Sequence, residues 1–204
     1  MLKGELDEVV WFYGQDTDFV RALRRGENSN GCAATSFHGL RVRCVKGLPT
    51  SFDVYINAAK RQLFIVDDLM QSAGESSALT DLFCNKLQHV GLSVMLLLQN
   101  LFYRGRERVT LVRCAQYLVI FKNPMDKSIP LHLAQKLMPL RKAAFMDMFE
   151  RATEKPHGYL FCDGKQDTPD YARFRTDLFD NGVQKVFVPR KYEGDAKKKG
   201  SGRG

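Results

Sequence analysis

The stretch that most constrains the fold is Gln62-Leu63-Phe64-Ile65-Val66-Asp67-Asp68-Leu69-Met70. Its apolar run is too short and too β-branched for a helix of its own, and it ends abruptly in two adjacent carboxylates. It reads as a strand of a parallel sheet, buried on both faces. Sheets of that kind take their ligands beyond the carboxyl ends of the strands, where Asp67 and Asp68 stand. Aspartate is also a favoured helix cap, so the pair alone fits a strand that merely turns into a helix.

The next segments extend the argument. Leu79, Leu82, Phe83 and Leu87 recur on one face and predict a helix over 75–89. After Gly91 a second apolar run, Leu92 to Leu98, again stops in polar residues, Gln99 and Asn100. Two buried parallel strands joined by a helix form a right-handed βαβ unit, which brings both polar ends to one edge of the sheet. Asp67, Asp68, Gln99 and Asn100 are therefore expected to be neighbours. In nucleotide hydrolases a strand of this kind carries the Walker B carboxylates. One holds Mg²⁺, its neighbour orients the attacking water, and an amide at the end of the adjacent strand contacts the γ-phosphate.

Upstream, Glu8 to Gly14 predicts a strand, and Asp18 to Arg25 a helix that turns Phe19, Val20 and Leu23 inward. Glu27 to Gly39 lacks periodicity and reads as a loop, and Arg41 to Val45 alternates as a strand closed by Gly47 and Pro49. Downstream, Leu101 to Arg113 holds Arg104, Arg106, Arg108 and Arg113. It reads as a basic loop that is solvated, supplies an arginine to a neighbouring subunit's nucleotide, or contacts DNA phosphates. A third buried strand is expected at Gln116 to Phe121, helices over 128–137 and 142–153, and late strands over 159–162 and 173–179.

With 204 residues, 44% of them hydrophobic, the chain has room for one ordinary domain with a core. The run from Leu92 to Leu98 is far shorter than the roughly 20 apolar residues that span a bilayer. The first residues carry Glu5, Asp7 and Glu8, so neither a membrane span nor a signal peptide is expected. Five cysteines, odd in number and never in a CxxC pair, read as reduced thiols of a nuclear or cytoplasmic protein that is not secreted. Half of the net charge of +8 lies in the last fifteen residues, so 187–204 reads as a disordered Gly/Lys-rich tail suited to solubility, nuclear import or nucleic-acid binding.

Several strings together resemble a known family: Leu63 to Met70, Ser93 to Phe102, Tyr117 to Asp126, Lys155-Pro156-His157-Gly158-Tyr159 and Thr168-Pro169-Asp170, with Trp11-Phe12-Tyr13-Gly14 and Gly47-Leu48-Pro49 before them. They are similar to P-loop ATPases of DNA viruses and virus-derived mobile elements, of the FtsK/HerA genome-packaging type. The resemblance covers about Val9 to Phe179. It implies an α/β fold, a RecA-like three-layer core with a mainly parallel sheet over 1–186. It further implies ring assembly, ATP hydrolysis with Mg²⁺ and movement of double-stranded DNA. Carried over by position, Asp67 would hold the metal, Asp68 would polarise water, Gln99 would sense the γ-phosphate and Asn100 would join the nucleotide site. The arginine acting in trans would be Arg104, Arg106 or Arg108, with Arg106 taken as the candidate.

One departure bears on all of this. The family's glycine-rich phosphate loop, GxxxxGK followed by Ser or Thr, occurs nowhere in the sequence, and Lys3-Gly4 cannot replace its converging N–H groups and lysine. In a RecA-like sheet the strand leading into that loop lies between the sensor strand and the last strand, so its loss predicts either a gap there or closure of the late strand onto the sensor strand. Three expectations follow: a fragment or degenerate copy of a packaging-type ATPase with impaired ATP binding, a non-catalytic nucleic-acid-binding or assembly protein derived from one, or a decaying reading frame.

Overall fold

The computed structural model describes residues 6–24, 34–37, 40–86, 91–101, 104–178 and 184–188. The chain divides into two compact units, 1–114 and 115–204. The expected tail, the end of the helix expected at 75–89, and Phe102 fall mostly or wholly outside the described residues.

The first unit is built on β1 (Glu8–Tyr13), β2 (Ala34–Phe37), β3 (Leu40–Lys46), β4 (Gln62–Asp67) and β5 (Leu92–Leu97). Their order in the sheet is β2-β3-β1-β4-β5. All neighbours pair in parallel except β2, which runs antiparallel to β3 where a loop was expected. Helices are α1 (Asp18–Arg24), α2 (Met70–Glu75), α3 (Ser77–Cys84) and α4 (Arg108–Cys114).

Alternation along the strands sends apolar side chains to both faces. On one face Val10, Phe12, Phe64, Val66 and Leu92 meet Ala73 of α2, Leu79 and Leu82 of α3 and Leu111 of α4. On the other, Val9, Tyr13, Val42, Cys44 and Ile65 meet Val20 and Leu23 of α1. The result is an α/β sandwich with a mainly parallel sheet, as the apolar strands predict. At the lower end of the strands, the Gln62 amide donates to Glu8 Oε2 (2.7 Å) and to the Tyr55 carbonyl (3.0 Å), while its Oε1 accepts from the Asn57 N–H (2.7 Å). Both Glu8 and Gln62 are buried. This satisfied network fixes the Glu8–Gln62 register of β1 against β4.

Three expectations in this unit need correction. The helix expected over 75–89 begins only at Ser77, as α3, after a separate helix α2 that the apolar spacing does not predict; Ser76 between them takes an extended backbone and its hydroxyl accepts from the Leu79 N–H (3.1 Å), capping α3. The basic loop ends in a helix, α4, anchored by the buried Leu111. Cys84 and Cys114 form a disulfide, with Cα atoms 5.5 Å apart, where reduced thiols were expected; sequence spacing carries no signal for a pair brought together by two helices.

The second unit contains β6 (Tyr117–Phe121), α5 (Ser128–Leu137), α6 (Lys142–Ala152), β7 (Tyr159–Asp163), β8 (Phe174–Thr176) and β9 (Lys185–Val186). The third buried strand expected at Gln116 to Phe121 is β6, antiparallel to β7 in a separate sheet of order β6-β7-β8-β9. Val119 and Phe121 are exposed, so it is not buried on both faces. Phe145 of α6 packs edge-on against Phe174 at 5.8 Å. His157, in the left-handed region at φ 60°, and Gly158, whose N–H donates to the Lys155 carbonyl, form the turn into β7. The Asn123 side chain likewise accepts from the Met125 N–H and explains the polar break after β6.

Burial in this unit pushes the Cys162 thiol from its ordinary 9.0 up to about 12. The unfolded chain gives up this proton near pH 9, whereas the folded chain holds it to about 12. Stability is therefore lost as pH rises through that window. At pH 8 we expect iodoacetamide to leave Cys162 unmodified in the folded chain and to alkylate it readily in urea, as peptide mapping would record.

Candidate functional site

β4 and β5 run parallel with Asp67 opposite Leu97, so their polar ends emerge together. Gln99 Nε2 donates to Asp68 Oδ1 at 3.2 Å. The βαβ reading of the sequence thus brings Asp68 and Gln99 together as expected. Asp67, Asp68, Leu97, Leu98 and Gln99 line a cavity of about 180 Å³. Asp67 is half-buried, and its Oδ2 accepts from Trp11 Nε1 at 3.3 Å; Asp68 and Gln99 are exposed.

The local backbone accounts for how Asp68 is presented. Asp68 sits at φ 53°, a left-handed conformation that aspartate and asparagine tolerate better than most residues. Its carbonyl passes against Gly14, where a Cβ would lie only 2.2 Å from the oxygen. The Gly14 N–H in turn donates to the Asp67 carbonyl at 3.0 Å. Gly14 and Trp11 therefore support the site from β1 and the turn after it. The sequence singled out Trp11-Phe12-Tyr13-Gly14 as a strand ending at a glycine, but nothing in spacing alone tied that glycine to Asp68.

The remaining candidates stand apart from this cavity. Asn100 is half-buried and is not among its lining residues. Arg104 and Arg106 are exposed ahead of α4, and Arg108 begins that helix. The segment between is pinned where Gly105 meets Gly74 of α2, a contact in which an added Cβ would stand 2.5 Å from the Gly74 oxygen. The Glu107 N–H donates to that same carbonyl at 2.9 Å.

The donor set suits Mg²⁺, which is commonly held by one or two carboxylates together with phosphate oxygens and water. Among the described residues, no group of three or more His, Cys, Asp or Glu is arranged to hold a metal without such help. The cavity of about 180 Å³ is smaller than the roughly 300 Å³ at which small-molecule pockets begin, and among the described residues neither a glycine nor a lysine lines it. No described helix is long and apolar enough to cross a membrane. Comparison of the chain with protein-family models, with curated proteins and with solved structures returns no match.

Proposed function

We propose that the chain carries the Walker B and sensor half of an ATPase of the DNA-translocating, genome-packaging type, with impaired ATP binding. The observation that supports this most directly is the Asp67-Asp68 pair at the carboxyl end of a parallel strand, with the Gln99 amide of the adjacent strand on Asp68. A RecA-like core is consistent with the mainly parallel run β3-β1-β4-β5, in which the carboxylate strand β4 lies between β5 and β1 with helices over both faces. In this reading Asp67 holds Mg²⁺, Asp68 polarises water, and Gln99, with Asn100 beside it in sequence, faces the γ-phosphate. Arg106 acts on a neighbouring subunit's nucleotide in a ring around double-stranded DNA, in the nucleus or cytoplasm of a virus-associated setting.

The test is ATP hydrolysis with and without duplex DNA, in the parent chain and in Asp68→Asn. Asparagine keeps both the tolerance of the left-handed backbone and an acceptor for Gln99, so the substitution changes the charge and leaves the fold intact. Impaired binding predicts low, DNA-stimulated turnover that the variant abolishes. Turnover equal in the two proteins would sink the assignment of Asp68.

A second reading, a non-catalytic nucleic-acid-binding or assembly protein, is favoured by the exposure of Arg104 and Arg106. It predicts duplex binding that weakens steeply with salt while hydrolysis is absent from both proteins.

A further inference from the structure

The disulfide between Cys84 and Cys114 joins the last residue of α3 to the last residue of α4. It closes a loop, thirty residues in sequence separation, that contains β5, Gln99, Asn100 and all four arginines of the basic segment. Other attachments of α4 lie at its start and middle. They are the Gly105–Gly74 approach, the Glu107 N–H on the Gly74 carbonyl, and the buried Leu111. Cys114 is the last residue of the first unit, and its disulfide ties the end of the helix to α3. Both cysteines are half-buried, within reach of a small thiol. Cys44 and Cys162 are buried, and the Cys162 thiol stays protonated. Among the described cysteines, thiol exchange therefore centres on the pair; Cys32 lies outside the described residues.

We propose that Cys84 and Cys114 form a reversible thiol–disulfide site that controls how firmly α4 and the arginine segment before it are held to the first unit. The co-reactant is a small dithiol. One of its thiolates attacks a cysteine sulfur and breaks the Cys84–Cys114 bond, giving a mixed disulfide and one cysteine thiolate. Its second thiolate then displaces the other cysteine and leaves as a cyclic disulfide. Two electrons pass to the protein, and each cysteine sulfur takes up one proton. Reduction removes the tie at the end of α4 and leaves the helix and the segment before it on their remaining attachments alone, so both open locally more often. The effect on Arg104 and Arg106 bears on nucleic acid or nucleotide only through the proposed function; the redox chemistry stands without it.

The experiment uses the full chain equilibrated with glutathione disulfide or with dithiothreitol. Peptide mapping after alkylation should find the Cys84 and Cys114 peptides linked in the first state and both alkylated in the second. Deuterium uptake across 105–114 should be faster by about tenfold or more on reduction, while β4 amides keep their protection. Cys84→Ser should exchange quickly in both states. Separately alkylated peptides after oxidation, or unchanged uptake over 105–114, would overturn the proposal. So would loss of β4 protection in step with α4, which would make the bond a global staple. Duplex DNA binding measured on both states separates the two ideas. Absence of binding in both counts against the functional reading while the redox release still stands.

Discussion

Phe64→Ala is expected to cost about 3–5 kcal/mol of folding stability, the range for truncating a fully buried phenylalanine. Phe64 is wholly buried at the centre of β4. Its ring stands edge-on to Phe12 at 5.5 Å and tilted against Phe52 at 6.3 Å. Phe12 in turn meets Phe52 and Tyr55, each at 5.3 Å. The substitution removes both the transfer free energy of the ring and the edge-to-face contacts, and it leaves a cavity that two other rings cannot close without leaving their rotamers. Because a domain is usually stable by only about 5–15 kcal/mol, the first unit should become marginal. Urea unfolding of the variant against the parent would measure this, with Val54→Ala, at a position 78% exposed, as a control expected within about 0.5 kcal/mol. A loss under about 1 kcal/mol for Phe64→Ala would mean that the aromatic cluster is not the packed core described.

The strand that carries Phe64 was the most legible part of the fold. The run ending at Asp67 announced a buried strand because neither face offered a polar residue, and β4 is central in the sheet with helices over both faces. The same reasoning placed β5 and brought Gln99 to Asp68, since a parallel pair needs a crossover and has one handedness. It overreached at β5 and β6. Both runs are largely apolar, yet Met95, Leu97, Val119 and Phe121 are exposed, because each strand stands at the end of its sheet's order. Periodicity reports what a strand can bury, and position in the sheet decides how much it does bury. β5 pairs with β4 alone among the described strands, so no described late strand closes onto it. The break at Ser76 and the short α4 were hidden for another reason. The cap at Ser76 is a local bond to the Leu79 N–H that the apolar spacing does not register, whereas α4 depends on Leu111 packing among residues far away in sequence.

Gly14→Ala should be the most damaging small substitution near the candidate site, with an expected loss of about 2–3 kcal/mol, typical of a methyl group forced into a filled space. The new Cβ would meet the Asp68 oxygen at 2.2 Å and its carbonyl carbon at 3.0 Å. Both are backbone atoms, so no side chain can swing away to relieve the overlap. The turn must shift instead, at the expense of the Gly14 N–H bond to the Asp67 carbonyl and of the Gln99 contact with Asp68. Stability and site geometry should therefore fail together, which separates this variant from Asp68→Asn. The asparagine variant should unfold within about 0.5 kcal/mol of the parent, since Asp68 is exposed and its left-handed backbone suits asparagine equally. Urea midpoints of the two variants, read beside any ATP hydrolysis or Mg²⁺ binding the parent supports, make the comparison. If Gly14→Ala retained full stability, the close approach of the β1 turn to Asp68 would be refuted, and with it the account of how the carboxylates are held.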